Sequence, residues 1–191
     1  MIIEGLATTI DPDGGLHVAA MGPWIDDAER DAGRITRLVL RPFATSRTAA
    51  NLLRERAGVF HLSDDVLLLA RVVAGGLDGP PASRPADAVR GRVLADACRA
   101  WEFVVDAVDD SRERVELQAR VVAIHEGRPF TGFNRAAHAV VEAAILATRL
   151  HLLERGDVLR RLADLRVLVD KTGGGREHEA FALLARHVGE A

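Results

Sequence analysis

Hydroxyl side chains gather at residues 45–51, T-S-R-T-A-A-N, where the pattern changes from a strand to a helix. The first turn of a helix presents unpaired N–H groups and the positive end of the helix dipole, which suits a phosphate monoester. Ser46 and Thr48 would add hydroxyl donors, and Arg41 or Arg47 a positive charge. A helix cap alone needs only one hydroxyl. The spacing therefore favours anion binding over capping alone.

Small residues end an earlier strand, opposite this helix start, in the stretch A-A-M-G-P-W at residues 19–24. Around Ala20, Met21 and Gly22 the backbone has little side-chain bulk, so a flat ring can approach it closely. A phosphate site and a planar-ring site on neighbouring strands together indicate a mononucleotide cofactor.

One polar stripe runs along the helix expected at residues 133–156, formed by Arg135, His138, Glu142 and Arg149. On one interpretation it is the solvated face, with ordinary pairs four residues apart. On the other, a helix that is apolar on two sides packs between its own barrel and a second subunit, and its arginines line a pocket there. Both interpretations stay open.

Other site chemistries find no support in the sequence. There is no H-E-x-x-H motif, and His61, His125 and His138 show no ligand spacing with a carboxylate, so no metal site is expected. The hydrolase motif G-x-S-x-G is absent. The glycines at 173–175 follow no strand and precede no GK[ST], so they are expected to end a helix.

Size and composition indicate a globular protein. The chain has 191 residues, 48% of them hydrophobic, and a net charge of -3, which argues against nucleic acid as the main partner. No stretch has the pattern of a signal peptide or a membrane span. With Cys98 as the one cysteine, no disulfide framework is expected. We therefore expect a cytoplasmic protein that binds neither nucleic acid nor membranes.

Periodicity and turn residues predict an α+β fold with about six mainly antiparallel strands. Expected strands and turns cover residues 2–24 around a turn at 11–15, 35–41 after an acidic loop at 26–31, 59–62, and a hairpin of 98–108 with 113–126. A helix is expected from Ser46, with Gly58 as its stop, and residues 66–75 are helix or strand. Loop residues follow at 74–88, and three helices at 133–156, 157–175 and 177–191.

Several of these stretches, taken in order, resemble a known family, the domain of unknown function 447. They are E-G-L-A-T-T-I, H-V-A-A-M-G-P-W, F-A-T-S-R-T-A-A-N with its S-x-T-x-x-N core, L-S-D-D, and G-F-N-R-A-A-H-A-V-V-E-A-A-I-L-A-T-R-L. The resemblance runs over nearly the whole chain. It implies the FMN-binding split β-barrel of flavin reductases, with residues 1–131 as the barrel domain. Residues 132–191 would then be a C-terminal helical segment packed on the barrel and at the interface of a homodimer.

The resemblance also implies the positions of an FMN site. Ser46, Thr48 and Asn51 would lie about the phosphate and ribityl chain, with the strand around Met21 against the ring. Because the chain has no tyrosine, Trp24 or Phe43 is the expected ring contact. The full expected set is Ala20, Met21, Gly22, Trp24, Arg41, Phe43, Ser46, Arg47, Thr48 and Asn51, with Asn134, Arg135, His138 and Arg149 as a pocket from the partner subunit.

Two functions follow from this resemblance. The first is an FMN-dependent oxidoreductase that uses NAD(P)H or another small molecule, with a link to tetrahydromethanopterin one-carbon metabolism. The second is a non-catalytic dimeric binding or scaffold protein that holds another phosphorylated ligand, or none, on the same barrel. A fold alone does not decide between them.

Overall fold

The computed structural model describes residues 1–190 and divides the chain into two compact units. The sheet unit comprises residues 1–63 and 80–129, and the helical unit comprises residues 64–79 and the described residues from 130 to 190. Residues 64–79 thus belong with the C-terminal helices, although the sequence placed them in the barrel domain. Residue 191, the end of the last expected helix, lies outside the described residues.

A six-stranded antiparallel sheet forms the sheet unit. Its strands, in the spatial order β2-β1-β4-β7-β8-β3, are β1 (Gly5–Ile10), β2 (Leu16–Met21), β3 (Arg37–Leu40), β4 (Ala57–Leu62), β7 (Arg99–Asp109) and β8 (Glu116–Glu126). Single bridges join Ile2 to Trp24 and Trp24 to Val39, near the two edges of the sheet. The expected α+β fold is confirmed; in the described residues the strands form an open sheet, without a closed barrel.

The turn between β1 and β2 is built as its residues predict. The amide of Gly14 donates to the carbonyl oxygen of Asp11 at 2.9 Å, and the amide of Gly15 donates to the carboxylate of Asp13 at 2.8 Å. Gly14 has a φ of 87°, a left-handed conformation that glycine adopts without strain. This turn fixes the register that places His17 opposite Thr9.

Short elements fill two segments for which the sequence predicted loops. Residues 26–31 contain the helix α1 (Asp27–Asp31), because the Asp26 side chain accepts hydrogen bonds from the amides of Ala28 and Glu29. The segment at 74–88 contains the strand β5 (Ser83–Pro85), which pairs with β6 (Arg92–Leu94). In both places local hydrogen bonding forms structure that hydrophobic periodicity does not reveal.

The helix α2 (Arg47–Glu55) begins at Ser46 as expected but ends before Gly58. Arg56 closes it in the left-handed conformation, with a φ of 52°. Gly58 instead lies in β4, where a Cβ atom would stand 2.9 Å from Cζ of Phe103. The glycine is therefore needed for close packing of the sheet, and the prediction that it stops the helix was wrong.

His61 joins two strands from inside the sheet unit. Its side chain is fully buried, with Nδ1 at 3.2 Å from the carbonyl oxygen of Leu6 in β1 and Nε2 accepting from the amide of Leu94 in β6 at 3.1 Å. Since a carbonyl only accepts and an amide only donates, the ring is neutral with its hydrogen on Nδ1. Burial, the largest cause, lowers the pKa of His61 to about 4.

Four helices form the helical unit: α3 (Val66–Ala74), α4 (Arg135–Ala147), α5 (Arg155–Thr172) and α6 (Gly175–Glu190). The ambiguous stretch at 66–75 is thus a helix, capped by Asp65 and ended by Gly75 with a φ of 70°. Residues of α4 such as Ala143 and Ala144 are buried in a core shared with the other three helices. None of the described helices is both long and apolar enough to cross a membrane.

Candidate functional site

The N-terminus of α2 is organised by Ser46. The Ser46 residue has extended backbone angles, and its Oγ accepts a hydrogen bond from the amide of Ala49 at 3.1 Å. Its own amide donates to the carbonyl oxygen of Phe43 at 2.9 Å, which closes a tight turn just before the helix. The positive end of the helix dipole therefore faces the same side as this turn.

Thr48 and Arg47 connect the start of α2 to the β1–β2 hairpin. Thr48 is buried, and its hydroxyl lies 3.1 Å from Nε2 of His17 in β2. Burial and the nearby Arg47 charge lower the pKa of His17. Arg47 donates from Nε to the buried Asp11 carboxylate at 2.7 Å and also from Nη2, yet 63% of its side chain stays exposed. A positive, accessible group thus stands at the first residue of the helix.

Asn51 also connects α2 to the β1–β2 hairpin. It is buried, and its Nδ2 donates to the hydroxyl of Thr9 at 3.0 Å and to Oδ1 of Asp11 at 2.9 Å. Its Oδ1 accepts from Arg54 at 3.0 Å. Hydrogen bonding, above all from Arg47, holds the pKa of Asp11 below its ordinary value. The S-x-T-x-x-N core therefore attaches the helix to the hairpin and leaves Ser46 and Arg47 as its outermost groups.

Aromatic rings and arginines lie next to this turn. The Arg41 guanidinium lies 5.5 Å from the centre of the Trp24 ring and pairs with Glu116 at 2.8 Å. Trp24 is 43% exposed. On the other side, the Arg114 guanidinium lies 3.7 Å from the centre of the Phe43 ring.

Arg114 also donates from Nη1 to the carbonyl oxygen of Arg41 at 3.0 Å. These contacts make Trp24, Arg41, Phe43 and Ser46 neighbours at the surface, and none of the four is buried. The surface combines flat apolar groups with positive charge.

The end of β2 shows a different arrangement from the one expected. Ala20 is exposed, and Met21 is half-buried against the core. At Gly22 a Cβ atom would lie 2.7 Å from Cγ2 of Ile2 and 2.9 Å from the carboxylate of Glu4. The absence of a side chain at Gly22 therefore admits neighbours from the same chain, so it does not by itself mark a ring site.

The residues expected to form a pocket with a partner subunit all lie in the helical unit. Asn134 is the N-cap of α4: its Oδ1 accepts from the amide of Ala136 at 2.7 Å, and its Nδ2 donates to the carbonyl of Thr172 at 3.1 Å. Arg135, His138 and Arg149 are exposed. Asn134 thus stabilises α4, and Arg135 and His138 are accessible on it. Arg149 lies beyond the end of α4 at Ala147, because the helix expected at 133–156 stops there and a turn follows.

Sequence reasoning missed a second polar cluster, in which His125 contacts two carboxylates. Its Nε2 lies 2.6 Å from the fully buried Glu102, and its Nδ1 lies 3.8 Å from Asp87. The hairpin of β7 and β8 and the turn after β5 create this contact between residues far apart in the chain. No spacing rule for metal ligands or catalytic groups could have found it.

Comparison with known proteins identifies the family. The model described as the N-terminal domain of a protein of unknown function (DUF447) matches residues 3–128, and the corresponding C-terminal model matches residues 134–186. The chain belongs to the DUF447 family. The expected resemblance is therefore confirmed.

Solved structures agree with this DUF447 assignment at the level of the fold. An FMN-bound DUF447 protein from Methanosarcina mazei is 22% identical with a TM-score of 0.83, covering 97% of this chain and 94% of that one. The flavin reductase of styrene monooxygenase from Pseudomonas putida is 16% identical, with a TM-score of 0.54 and coverage of 66% and 82%.

An FMN-binding protein from Thermus thermophilus is 14% identical, with a TM-score of 0.54 and coverage of 68% and 77%. No curated protein matches this DUF447 chain. The fold is therefore the one that flavin reductases and FMN-binding proteins share.

Proposed function

We propose that this protein binds FMN and acts as an oxidoreductase of the flavin-reductase type. The observation that carries the proposal is that Trp24, Arg41, Phe43 and Ser46 are neighbours at the surface, with Arg47 beside them at the helix N-terminus. The FMN-bound relative from Methanosarcina mazei supports the choice of ligand.

The residues of this surface fit the two ends of FMN. The phosphate dianion needs N–H donors and positive charge, which the first turn of α2 and the exposed Arg47 side chain provide. The flat ring needs an apolar face, which Trp24 or Phe43 provides beside an arginine. Ala20, Met21 and Gly22 form the neighbouring strand end.

Thr48 and Asn51 have a supporting part in the proposed site. Their polar atoms already bind His17, Thr9 and Asp11, so they hold the start of the helix in place while Ser46 and Arg47 face the phosphate. Bound FMN would supply the hydride transfer chemistry. The protein would orient it, and NAD(P)H or another small molecule would provide the electrons.

Replacement of Ser46 gives a sharp test of the phosphate position. Asp and Asn both cap a helix well, so Ser46→Asn and Ser46→Asp keep the helix start, but only Asp adds a negative charge against the phosphate. We expect Ser46→Asp to bind FMN at least about tenfold more weakly than Ser46→Asn, with little difference for riboflavin, which lacks the phosphate.

The measurement is a fluorescence or absorbance titration of each variant with FMN and with riboflavin. Equal FMN affinities for the Asn and Asp variants would show that the phosphate lies elsewhere. If wild-type protein binds no FMN at all, the flavoprotein proposal fails. The alternative of a binding or scaffold protein for another phosphorylated ligand would then apply.

We also propose that the protein is a homodimer in which Arg135, His138 and Arg149 of one subunit face the flavin of the other. The sequence argument relied on the apolar flanks of α4, but α3, α5 and α6 of the same chain cover those flanks. The support now comes from Phe133, whose side chain is 90% exposed and contacts the His138 ring at 5.9 Å. A large aromatic residue exposed to that extent is typical of an interface.

Phe133→Asp tests this proposal. We expect it to reduce the mass in solution from twice 20.6 kDa to 20.6 kDa, and Leu159→Asp, at a 44% exposed position of the same unit, to leave the mass unchanged. Analytical ultracentrifugation measures both. A monomeric wild-type protein, or a Phe133→Asp variant that remains dimeric, would contradict the proposal.

A further inference from the structure

A buried carboxylate in the sheet unit holds two groups that ligate metals. Glu102 in β7 is fully buried, and its Oε1 accepts from the amide of Asp87 at 2.6 Å and lies 2.6 Å from Nε2 of His125. Its Oε2 accepts from the amides of Ala88 and Val89 at 2.7 and 3.0 Å. One carboxylate therefore fixes both the Asp87 backbone and the His125 ring.

The hydrogen bonds of His125 define its tautomer. Glu102 accepts hydrogen bonds at both oxygens, so Nε2 of His125 carries the hydrogen that faces it. Arg84 lies on the other side of the ring, with Nη2 at 2.7 Å from Nδ1. Because a guanidinium group only donates, Nδ1 presents its lone pair to this cation. Glu102 and Arg84 therefore both indicate the tautomer of His125 that carries its hydrogen on Nε2.

Arg84 also approaches the carboxylate of Asp87. Its Nη1 lies 3.4 Å from Oδ1, while Oδ2 of Asp87 lies 3.8 Å from Nδ1 of His125. The imidazole and the carboxylate therefore share one positive charge. The Arg84 side chain is 50% exposed and the Asp87 side chain 68%, so both can move without disturbing the core.

We propose that Asp87 and His125 form a binding site for a borderline divalent metal ion such as Zn²⁺ or Co²⁺, from which Arg84 must move aside. A histidine that donates one ring N–H to a carboxylate and offers the other nitrogen is the usual arrangement of a metal ligand with its supporting group. Tetrahedral bonds of about 2.1 Å place two ligand atoms about 3.4 Å apart. The observed 3.8 Å needs only a small movement of the exposed Asp87.

The sequence provides a matched control for this site. His178 and Asp170 in the helical unit are separated by 3.9 Å between Nδ1 and Oδ1, almost the same distance, and both are about half exposed. Within the described residues, no buried carboxylate holds either of these side chains in the way that Glu102 holds His125. If a nearby histidine and aspartate were sufficient, the two pairs would bind metal equally well.

The experiment is a titration of the full-length, untagged protein with ZnCl₂ by calorimetry and with CoCl₂ by visible absorbance. We expect one site per chain, with affinity lowered at least about tenfold by His125→Gln and by Asp87→Asn. Arg84→Ala should raise the affinity about tenfold, since it removes the competing cation. His178→Gln and Asp170→Asn should change nothing.

Two variants keep the test informative if one of them is unstable. Gln at position 125 can still donate to Glu102, and Asp87→Asn leaves the backbone amide that Glu102 accepts. Absence of binding to both wild-type protein and Arg84→Ala would overturn the proposal. So would binding that His125→Gln and Asp87→Asn leave unchanged, or that His178→Gln reduces to the same extent.

Discussion

Acid should destabilise the sheet unit through His61. The pKa of this buried residue is about 4 in the folded protein, compared with an ordinary value of 6.5. As the pH falls below the ordinary value, the unfolded chain takes up a proton on His61 while the folded protein does not, so stability decreases until the pH reaches the folded value. In the folded protein the added proton would lie on Nε2, directly facing the amide of Leu94.

The magnitude follows from the two pKa values. Each unit of difference corresponds to about 1.4 kcal/mol. Lowering the pH from about 8 to about 5 therefore removes about 2 kcal/mol of unfolding free energy through His61. With a urea dependence of about 2 kcal/mol per molar, the unfolding midpoint moves by about 1 M.

The assay compares wild-type protein with His61→Gln. The glutamine amide can donate to Leu6 and accept from Leu94 but does not titrate. Both tryptophans, Trp24 and Trp101, lie in the sheet unit together with His61. Tryptophan fluorescence during urea unfolding of the flavin-free protein therefore reports on the sheet unit.

We expect wild-type protein to lose about 2 kcal/mol more than His61→Gln between the two pH values. His17, whose pKa is also lowered, contributes with the same sign to both proteins and cancels in the comparison. His178→Gln serves as a control at an exposed position. Equal pH dependence in wild type and His61→Gln would refute the reasoning.

Two further changes test the packing of each unit. Asn51→Ala should lower the free energy of unfolding by about 2 kcal/mol, because it leaves the buried Asp11 with fewer hydrogen bonds. Urea unfolding measures this change, and an unchanged midpoint would contradict the supporting role of Asn51. Gly173→Ala should cost about 1 to 3 kcal/mol, since its Cβ would lie 2.7 Å from the carbonyl oxygen of Val169. Gly156→Ala is the control, because a Cβ atom at this position near the other end of α5 would meet nothing within 4 Å; we expect it to leave the melting temperature unchanged or to raise it. Thermal melting followed by helical circular dichroism measures both variants. Similar effects of the two alanines would contradict the close contact between position 173 and Val169.

Local signals in the sequence predicted much of the fold. Ser46 caps α2 because a hydroxyl there binds the amide of Ala49, and the strands at both sides of residues 11–15 and 109–111 follow from their turn residues. The glycines that follow Thr172 end α5 as expected, and Gly175 is already the first residue of α6. These features depend on neighbouring residues, which is why one sequence is sufficient to find them.

Features that depend on distant residues could not be predicted in this way. Glu102 is a charged residue in an apolar strand, and only the folded chain shows that three amides and His125 surround it. The apolar flanks of α4 suggested a second subunit because the sequence does not show that α3 joins the C-terminal helices. The partners of Asn51 likewise lie on a hairpin that precedes it by about 40 residues in the chain.

The position of α3 has a consequence for how the chain can be made and divided. Since α3 (Val66–Ala74) is synthesised long before α4 to α6, the helical unit can assemble only after the ribosome has released the whole β7–β8 hairpin. Until then the residues of α3 that this core buries lack their partners from α4 to α6. A fragment that begins at residue 130 would lack this helix and expose part of the core that it covers. A soluble version of the helical unit would need α3 joined to it by a designed linker.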